Sequence, residues 1–267
     1  MDKRMEPAAS DPQEELARLR SENARLRNML GIAVSEQTIP SPIPEAAETD
    51  SVFEPLPTVT VHSPAQEKIA LFRALFRGRE DVYALFWINE RTGKRGYAPA
   101  CEDPWTSTRK KPKRYLPLTD ALIQEHLSGT KTIGIFPLLP DHTCWFLACD
   151  FDKEGWVLDA LAFLAVCRQH HVPAYLERSR SGNGGHVWIF FASPVTATSA
   201  RQLGMRLLRE TMIMRAEMDL ASYDRFFPNQ DFMPKGGFGN LIALPLQKAC
   251  RAVGNTEFLN PDDPELK

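Results

Sequence analysis

The sequence predicts a sheet domain of the α/β or α+β class, in which strands and helices occur in mixed order. Between residues 82 and 246, short apolar segments of strand length alternate with longer segments of helical periodicity. This mixed order implies a sheet domain that is long enough to bury a hydrophobic core of its own. The composition, 43% hydrophobic and 25% charged residues, is ordinary for a globular protein.

The individual elements are predicted from periodicity and from the residues that begin and end helices. One helix follows Pro64 and ends near Gly78, and another begins after Thr119 and ends near Gly129. Two more helices are expected at 156–170 and 196–215. Strands are expected at 82–88, 132–136, 144–151, 173–177, 186–192 and 241–246. The turn residues at 92–94 predict that the first strand continues into a hairpin.

The N-terminal region is predicted to be separate from this core. Residues 1–32 form an expected helix and residues 33–63 a disordered proline-rich linker. The helix has a heptad pattern, which consists of Leu16, Leu19, Asn23, Leu26 and Leu30. The pattern covers under three heptads, so weak self-association through 11–30 and an amphipathic helix that packs elsewhere both stay open. Residues 64–255 are the predicted main domain, and residues 256–267 a C-terminal tail.

Composition excludes several classes of protein. No apolar run approaches the roughly 18 residues of a membrane span, and the N-terminus lacks the apolar region of a signal peptide. We therefore expect a cytoplasmic protein without a membrane partner. Five cysteines without a CxxC pair argue against disulfides and against a cysteine-rich zinc site. A net charge of −2 neither supports nor excludes a nucleic-acid partner, because a local patch meets phosphate.

The most informative segment is an apolar strand that ends in two acids, Asp150 and Asp152. Strand side chains alternate between faces, so Phe146, Ala148 and both acids are predicted to share one face. Two adjacent carboxylates repel each other unless a cation lies between them, and Mg²⁺ prefers such oxygen ligands. Two solvated acids at a strand end are an equally good interpretation of this motif alone.

A glycine-rich loop precedes another apolar strand. It contains Arg178, Arg180, Ser181 and Gly182 and ends at His186. Glycines let the backbone approach a ligand, and two arginines, a hydroxyl and a histidine suit a triphosphate. An ordinary turn before a strand is the weaker alternative.

A third acid, Asp224, lies among aromatic residues, and Lys235 precedes two glycines further along. Lys235 is a candidate phosphate contact. Taken alone, both positions are predicted to be ordinary loop residues.

The order of these three motifs resembles the archaeo-eukaryotic primase-polymerase superfamily. Its members have a hydrophobic strand that ends in Asp-x-Asp, a serine-containing loop that ends in histidine, and a later acid after a hydrophobic residue. The chain is most similar to the primase domain of TOTE conflict systems, bacterial mobile-element modules that pair a primase with a helicase and a nuclease. The similar segments are 71–83, 115–119, 137–140, 178–188, 227–231 and 234–247.

The resemblance implies an RRM-like catalytic core with an N-terminal α/β subdomain. It implies that Asp150, Asp152 and Asp224 are the catalytic ligands of two Mg²⁺ or Mn²⁺ ions, and that Ser181 and His186 hold the nucleotide triphosphate. The implied partners are a DNA template and (d)NTPs, with helicase and nuclease modules on separate chains or on a longer form of this one.

The chain departs from the related domains at one place. They often carry a cysteine cluster between the equivalents of Cys101 and Tyr115, whereas this chain has only Cys101 there. One thiolate cannot form a tetrahedral structural site, so we expect no zinc. Five cations replace the cluster and are a candidate contact with the nucleic-acid backbone or a solvated loop. They are Arg109, Lys110, Lys111, Lys113 and Arg114.

The leading hypothesis is a DNA primase or polymerase that transfers nucleotides to a growing strand. One alternative is a catalytically idle nucleic-acid-binding module, which would have no need of clustered acids. Another is a metal-dependent nuclease, which the triphosphate-like loop disfavours. The preferred sugar, and whether strands are started or only extended, stay open.

Overall fold

The computed structural model describes residues 59–102, 113–214 and 222–263. They belong to one compact unit, Pro57–Lys267. The predicted N-terminal helix, most of the predicted linker, the cations Arg109–Lys111 and the last four residues lie outside the described residues.

Helices and strands alternate through the described part of the chain. The helices are α1 (Ala65–Leu75), α2 (Asp120–Ser128), α3 (Trp156–Gln169), α4 (Ala197–Met214) and the short α5 (Lys248–Arg251). The strands are β1 (Ala84–Ile88), β2 (Arg95–Pro99), β3 (Ile133–Ile135), β4 (Thr143–Asp152), β5 (Tyr175–Arg178), β6 (Gly184–Thr196), β7 (Tyr223–Phe227) and β8 (Ile242–Ala243).

The strands form two four-stranded antiparallel sheets. The first sheet has the order β2-β1-β3-β8, and the second has the order β5-β6-β4-β7. The first sheet contains the predicted hairpin, in which Ile88 lies opposite Arg95. The mixed α+β fold is therefore the one that the sequence predicts.

Strand β4 lies in the interior of the second sheet and is buried on both faces. Leu147, Cys149 and Phe151 belong to one hydrophobic cluster, which includes Phe163 of α3 and Leu207 of α4. Phe146 and Ala148, on the opposite face, belong to a second cluster with residues of α1 and the first sheet. This double burial explains why β4 is a nearly continuous apolar segment.

The predicted cap of α2 is confirmed. The Thr119 hydroxyl accepts a hydrogen bond from the backbone nitrogen of Leu122 at 3.3 Å. Gly129 ends the helix with a φ of 92°, in the left-handed region that glycine adopts without strain.

Three strand predictions need correction. The segment 223–227, predicted as a loop, is β7 at the edge of the second sheet, where charged residues such as Asp224 and Arg225 are tolerated because one side faces solvent. Strand β6 begins two residues earlier than predicted and is longer, since it pairs with both β4 and β5. Strand β8 has only two residues because it pairs only with the three-residue β3.

The predicted domain boundaries stay predictions. Within the predicted tail, Thr256 and Leu259 donate backbone hydrogen bonds to Arg178 and Leu176 of β5, and Leu259 is buried. Among the described residues, no helix has the length and apolarity needed to cross a membrane.

Candidate active site

Asp150 and Asp152 lie at the end of β4, where the strand leaves the core. Phe146 and Ala148 belong to the hydrophobic cluster on one side of the sheet. Leu147, Cys149 and Phe151 belong to the cluster on the other side, which confirms the predicted alternation. The same alternation that buries the apolar residues therefore directs both acids to one face.

Asp224 reaches the same place from β7 because the pairing of β7 with β4 is irregular. Asp150 lies opposite Arg225, whereas Phe151 lies opposite Tyr223, so Asp224 is an extra residue in β7. A bulge of this kind redirects a side chain that regular alternation would send to the other face. One carboxylate oxygen from each of Asp150, Asp152 and Asp224 lies within 4.8 Å of the other two. We call these three residues the acidic triad.

The environment of the acidic triad favours a cation. Asp150 is buried, and this burial raises its pKa to about 6; His186 lowers the pKa, and the carboxylates of Asp152 and Asp224 raise it. Arg225 Nε donates to Asp224 Oδ2 at 2.6 Å and already supplies one positive charge. Three oxygen donors that repel one another are a suitable set for a hard divalent ion. The acidic triad could therefore hold a metal.

A row of four titratable side chains crosses the second sheet from edge to edge. Glu177 of β5 lies opposite His186 of β6, His186 lies opposite Asp150 of β4, and Asp150 lies opposite Arg225 of β7. Side chains that are opposite each other in antiparallel strands share a face. The row alternates acidic and basic groups, and it passes through the acidic triad at Asp150.

His186 lies between Glu177 and Asp150 in this row. Its Nδ1 donates to Glu177 Oε2 at 2.7 Å, and its Nε2 lies 3.6 Å from Asp150 Oδ1. Burial lowers the pKa of His186, but the carboxylates of Glu177, Asp150 and Asp152 outweigh it and raise the pKa to about 9. The imidazole is therefore positively charged at neutral pH and lies beside the acidic triad.

Gly184 and Gly185 of the predicted loop belong to β6. This strand lies so close to its neighbours that neither position has room for a side chain. A Cβ on Gly184 would meet Asp152 Oδ1 and lie 2.7 Å from the backbone oxygen of Phe151, and a Cβ on Gly185 would meet the Trp156 ring and lie 2.9 Å from the backbone oxygen of Glu177. Both positions exclude a larger residue because of contacts within the protein, in addition to any ligand.

Ser181, Gly182 and Lys235 lie in turns at the surface. Ser181 is exposed and accepts from the backbone nitrogen of Asn183 at 3.3 Å. Gly182 has a φ of 80°, which glycine adopts without strain. Lys235 is exposed in a turn of the loop between β7 and β8. Their nucleotide-binding roles stay predictions.

The two arginines of the loop contact other parts of the domain. Arg178 Nη1 donates to the carbonyl oxygen of Gly254 at 3.0 Å. The Arg180 guanidinium lies 4.1 Å from the ring centroid of Phe86 in the first sheet. Their proposed phosphate contacts also stay predictions.

Residues 67–266 match the family model described as TOTE conflict system, Archaeo-Eukaryotic Primase domain. The chain belongs to this family. The resemblance expected from the motifs is thereby confirmed, and membership indicates a primase-type nucleotidyl-transfer role. No curated protein matches the chain.

Among solved structures, the primase domain matches the polymerase domain of ligase D from Mycobacterium tuberculosis in complex with DNA. The sequence identity is 16% and the TM-score is 0.42, and the match covers 68% of this chain and 72% of that chain.

Sequence reasoning missed Glu177 as a site residue of the primase domain. Glu177 is 1% exposed and accepts hydrogen bonds from both His186 and Trp188. A glutamate at the end of a short predicted strand was the available signal, but its partner depends on strand register.

Proposed function

We propose that this primase domain joins nucleotides on a DNA template by metal-dependent nucleotidyl transfer. The observation that carries the proposal is the convergence of Asp150, Asp152 and Asp224 on one sheet face, in a chain of a primase family. The substrates would be (d)NTPs and a growing strand. Helicase and nuclease partners, suggested by the conflict-system family, are part of this proposal.

The reaction needs precise placement of charged groups more than covalent chemistry by side chains. The 3′-hydroxyl of the strand attacks the α-phosphate, a new phosphodiester bond forms, and pyrophosphate leaves. Two Mg²⁺ or Mn²⁺ ions held by the acidic triad would supply the positive charge that stabilises the reacting phosphate. The chain itself contributes position and electrostatics.

His186 would bind the triphosphate with its buried positive charge. The Ser181 hydroxyl and the backbone at Gly182 would add hydrogen bonds, and Lys235 would add a cation. Arg178 and Arg180, which contact Gly254 and Phe86, would add positive charge near the phosphates.

Incubation of the full chain with a primed DNA template, labelled nucleotides and Mn²⁺ tests this function. Growth of the strand supports the proposal. Shortening of the strand would instead indicate a metal-dependent nuclease, and template binding without any change would indicate an idle binding module. Asp141→Asn is a suitable control, because Asp141 is an exposed acid on the turn before β4.

A parallel reaction on an unprimed single-stranded template, with ribonucleotides and deoxynucleotides in separate tubes, defines the activity further. Products would show whether the domain starts strands and which sugar it prefers.

A further inference from the structure

Glu177 is a buried carboxylate that lies outside the acidic triad. It is 1% exposed and lies in β5, at the edge of the second sheet. Burial of a carboxylate is unfavourable unless hydrogen bonds and opposite charge compensate for lost water. The contacts of this residue therefore indicate what its burial achieves.

One oxygen of Glu177 accepts both side-chain hydrogen bonds. Oε2 lies 2.7 Å from His186 Nδ1 and 2.9 Å from Trp188 Nε1. His186 and Trp188 are two residues apart on β6 and share one face of the strand. Trp188 is fully buried in the second hydrophobic cluster, so its indole holds the carboxylate in place.

This arrangement determines which nitrogen of His186 faces the acidic triad. With Nδ1 bonded to Glu177, Nε2 is directed to Asp150, 3.6 Å from Oδ1. A ring flipped by 180° would lose the bond to Glu177 and turn a carbon toward Asp150. A carboxylate or carbonyl behind a functional histidine commonly orients the ring in this way.

We infer that Glu177 is a positioning residue, which holds the His186 ring so that Nε2 is presented to the phosphates of a bound nucleotide. The inference rests on the proposed function, because the nucleotide is the ligand that His186 would meet. Glu177 acts through His186, because its side-chain hydrogen bonds go to His186 and Trp188.

Two conservative variants separate the reach of the side chain from its charge. Glu177→Gln keeps the length and an acceptor oxygen but removes the charge. Glu177→Asp keeps the charge but withdraws the oxygen by one methylene. If Glu177 acts by position, Glu177→Asp frees the His186 ring and weakens nucleotide binding about tenfold. Glu177→Gln keeps the ring in place, but its neutral side chain no longer stabilises the protonated imidazole, so it weakens nucleotide binding without changing the orientation of the ring. Glu257→Asp makes the same shortening on an adjoining segment and should change nothing.

The measurement is calorimetric binding of an α,β-methylene dNTP to the full chain with Mn²⁺. Melting temperature is recorded for each variant. The inference is overturned if Glu177→Asp binds as the native chain does. It is equally overturned if Glu177→Gln frees the His186 ring as much as Glu177→Asp does, since an acceptor oxygen at this position would then not be what holds the ring.

A second readout separates this inference from the proposed function. If the native chain binds no nucleotide, the proposed function fails, and nitrogen-15 spectra of the His186 ring then test the positioning. A protected Nδ1 proton in the native chain and in Glu177→Gln, lost in Glu177→Asp, supports the role of Glu177. Identical ring spectra in all three proteins would overturn it.

Discussion

Among the residues that the structure describes, two histidines are buried, and their surroundings have opposite effects on their charge. His126, in α2, donates from Nε2 to the carbonyl oxygen of Pro245 at 2.9 Å and accepts at Nδ1 from the backbone nitrogen of Ile133. His186, in β6, lies between two carboxylates. Burial lowers the pKa of His126 to about 4, whereas the carboxylates around His186 raise its pKa to about 9.

The difference shows that burial alone does not decide what a histidine does. Backbone groups satisfy both nitrogens of His126 in its neutral form, so this side chain links α2 to β3 and to the segment after β8. Carboxylates stabilise the protonated form of His186 and place a positive charge beside the acidic triad. The surroundings of His126 stabilise the fold, whereas those of His186 hold a cation beside the acidic triad, where our proposal has it contact the triphosphate.

The largest effect on activity is expected at Asp150, which belongs to the acidic triad and lies beside His186. Asp150→Ala should reduce nucleotide incorporation on the order of 10³-fold, because it removes a ligand of the proposed ions. The melting temperature should not fall, since removal of one clustered acid relieves repulsion. Incorporation and thermal unfolding measured together check this, and full activity would refute the site.

The surroundings of His126 should control how the free energy of unfolding depends on pH in acid. The unfolded chain binds a proton at His126 near pH 6.5, whereas the folded chain does not until about pH 4. Stability is therefore lost as the pH falls through this window, by on the order of 3 kcal/mol at its lower end.

His126→Gln keeps a donor and an acceptor but does not titrate, so its free energy of unfolding should depend less on pH between 6.5 and 4. Urea unfolding at several pH values measures this. Parallel curves for the two proteins would show that His126 is not the group responsible.

The same substitution in the two regions should affect different properties. His186→Ala should weaken nucleotide binding by about 1.5–3 kcal/mol, the usual range for a charge-assisted hydrogen bond, with a smaller effect on template binding. His126→Ala should leave nucleotide affinity unchanged and lower the free energy of unfolding by about 1–3 kcal/mol, because it leaves buried backbone groups unpaired. Unchanged nucleotide affinity in His186→Ala would remove the functional distinction between them.

The smallest effect is expected at the five-cation stretch, which lies near neither His126 nor His186 in the sequence. Of the five-cation stretch, the described residues Lys113 and Arg114 are exposed, and Arg114 Nη1 lies 3.8 Å from Glu102 Oε2. If all five cations contact phosphates, their replacement by alanine should flatten the dependence of log affinity on log salt by roughly 3.5 on single strands, at about 0.7 per contact. Nucleotide affinity should not change.

A salt titration of template binding, with the native chain and the five-alanine variant, measures this slope. Identical slopes would mean that the stretch only faces water, and template contacts would then be sought near Arg225 and Lys235.

The local sequence pattern was sufficient to predict most of the helices and strands. The period-two alternation of β4 predicted that Asp150 and Asp152 share a face, and Thr119 and Gly129 predicted the ends of α2. Local pattern failed at β7, because an edge strand with two charged residues resembles a loop. It also assigned Gly184 and Gly185 to a loop, although they lie in β6 and pair with Asp152 and Phe151 of β4.

Asp150, Asp152 and His186 can be recognised as candidates from their own segments, whereas Asp224 is recognised only from its place in the order of the three motifs. Their assembly depends on pairing between strands that are distant in the chain. Register places Glu177 behind His186, and a bulge brings Asp224 to Asp150. The opposite charges of His126 and His186 likewise follow from their partners, since a pKa responds to neighbours in space and not to neighbours in sequence.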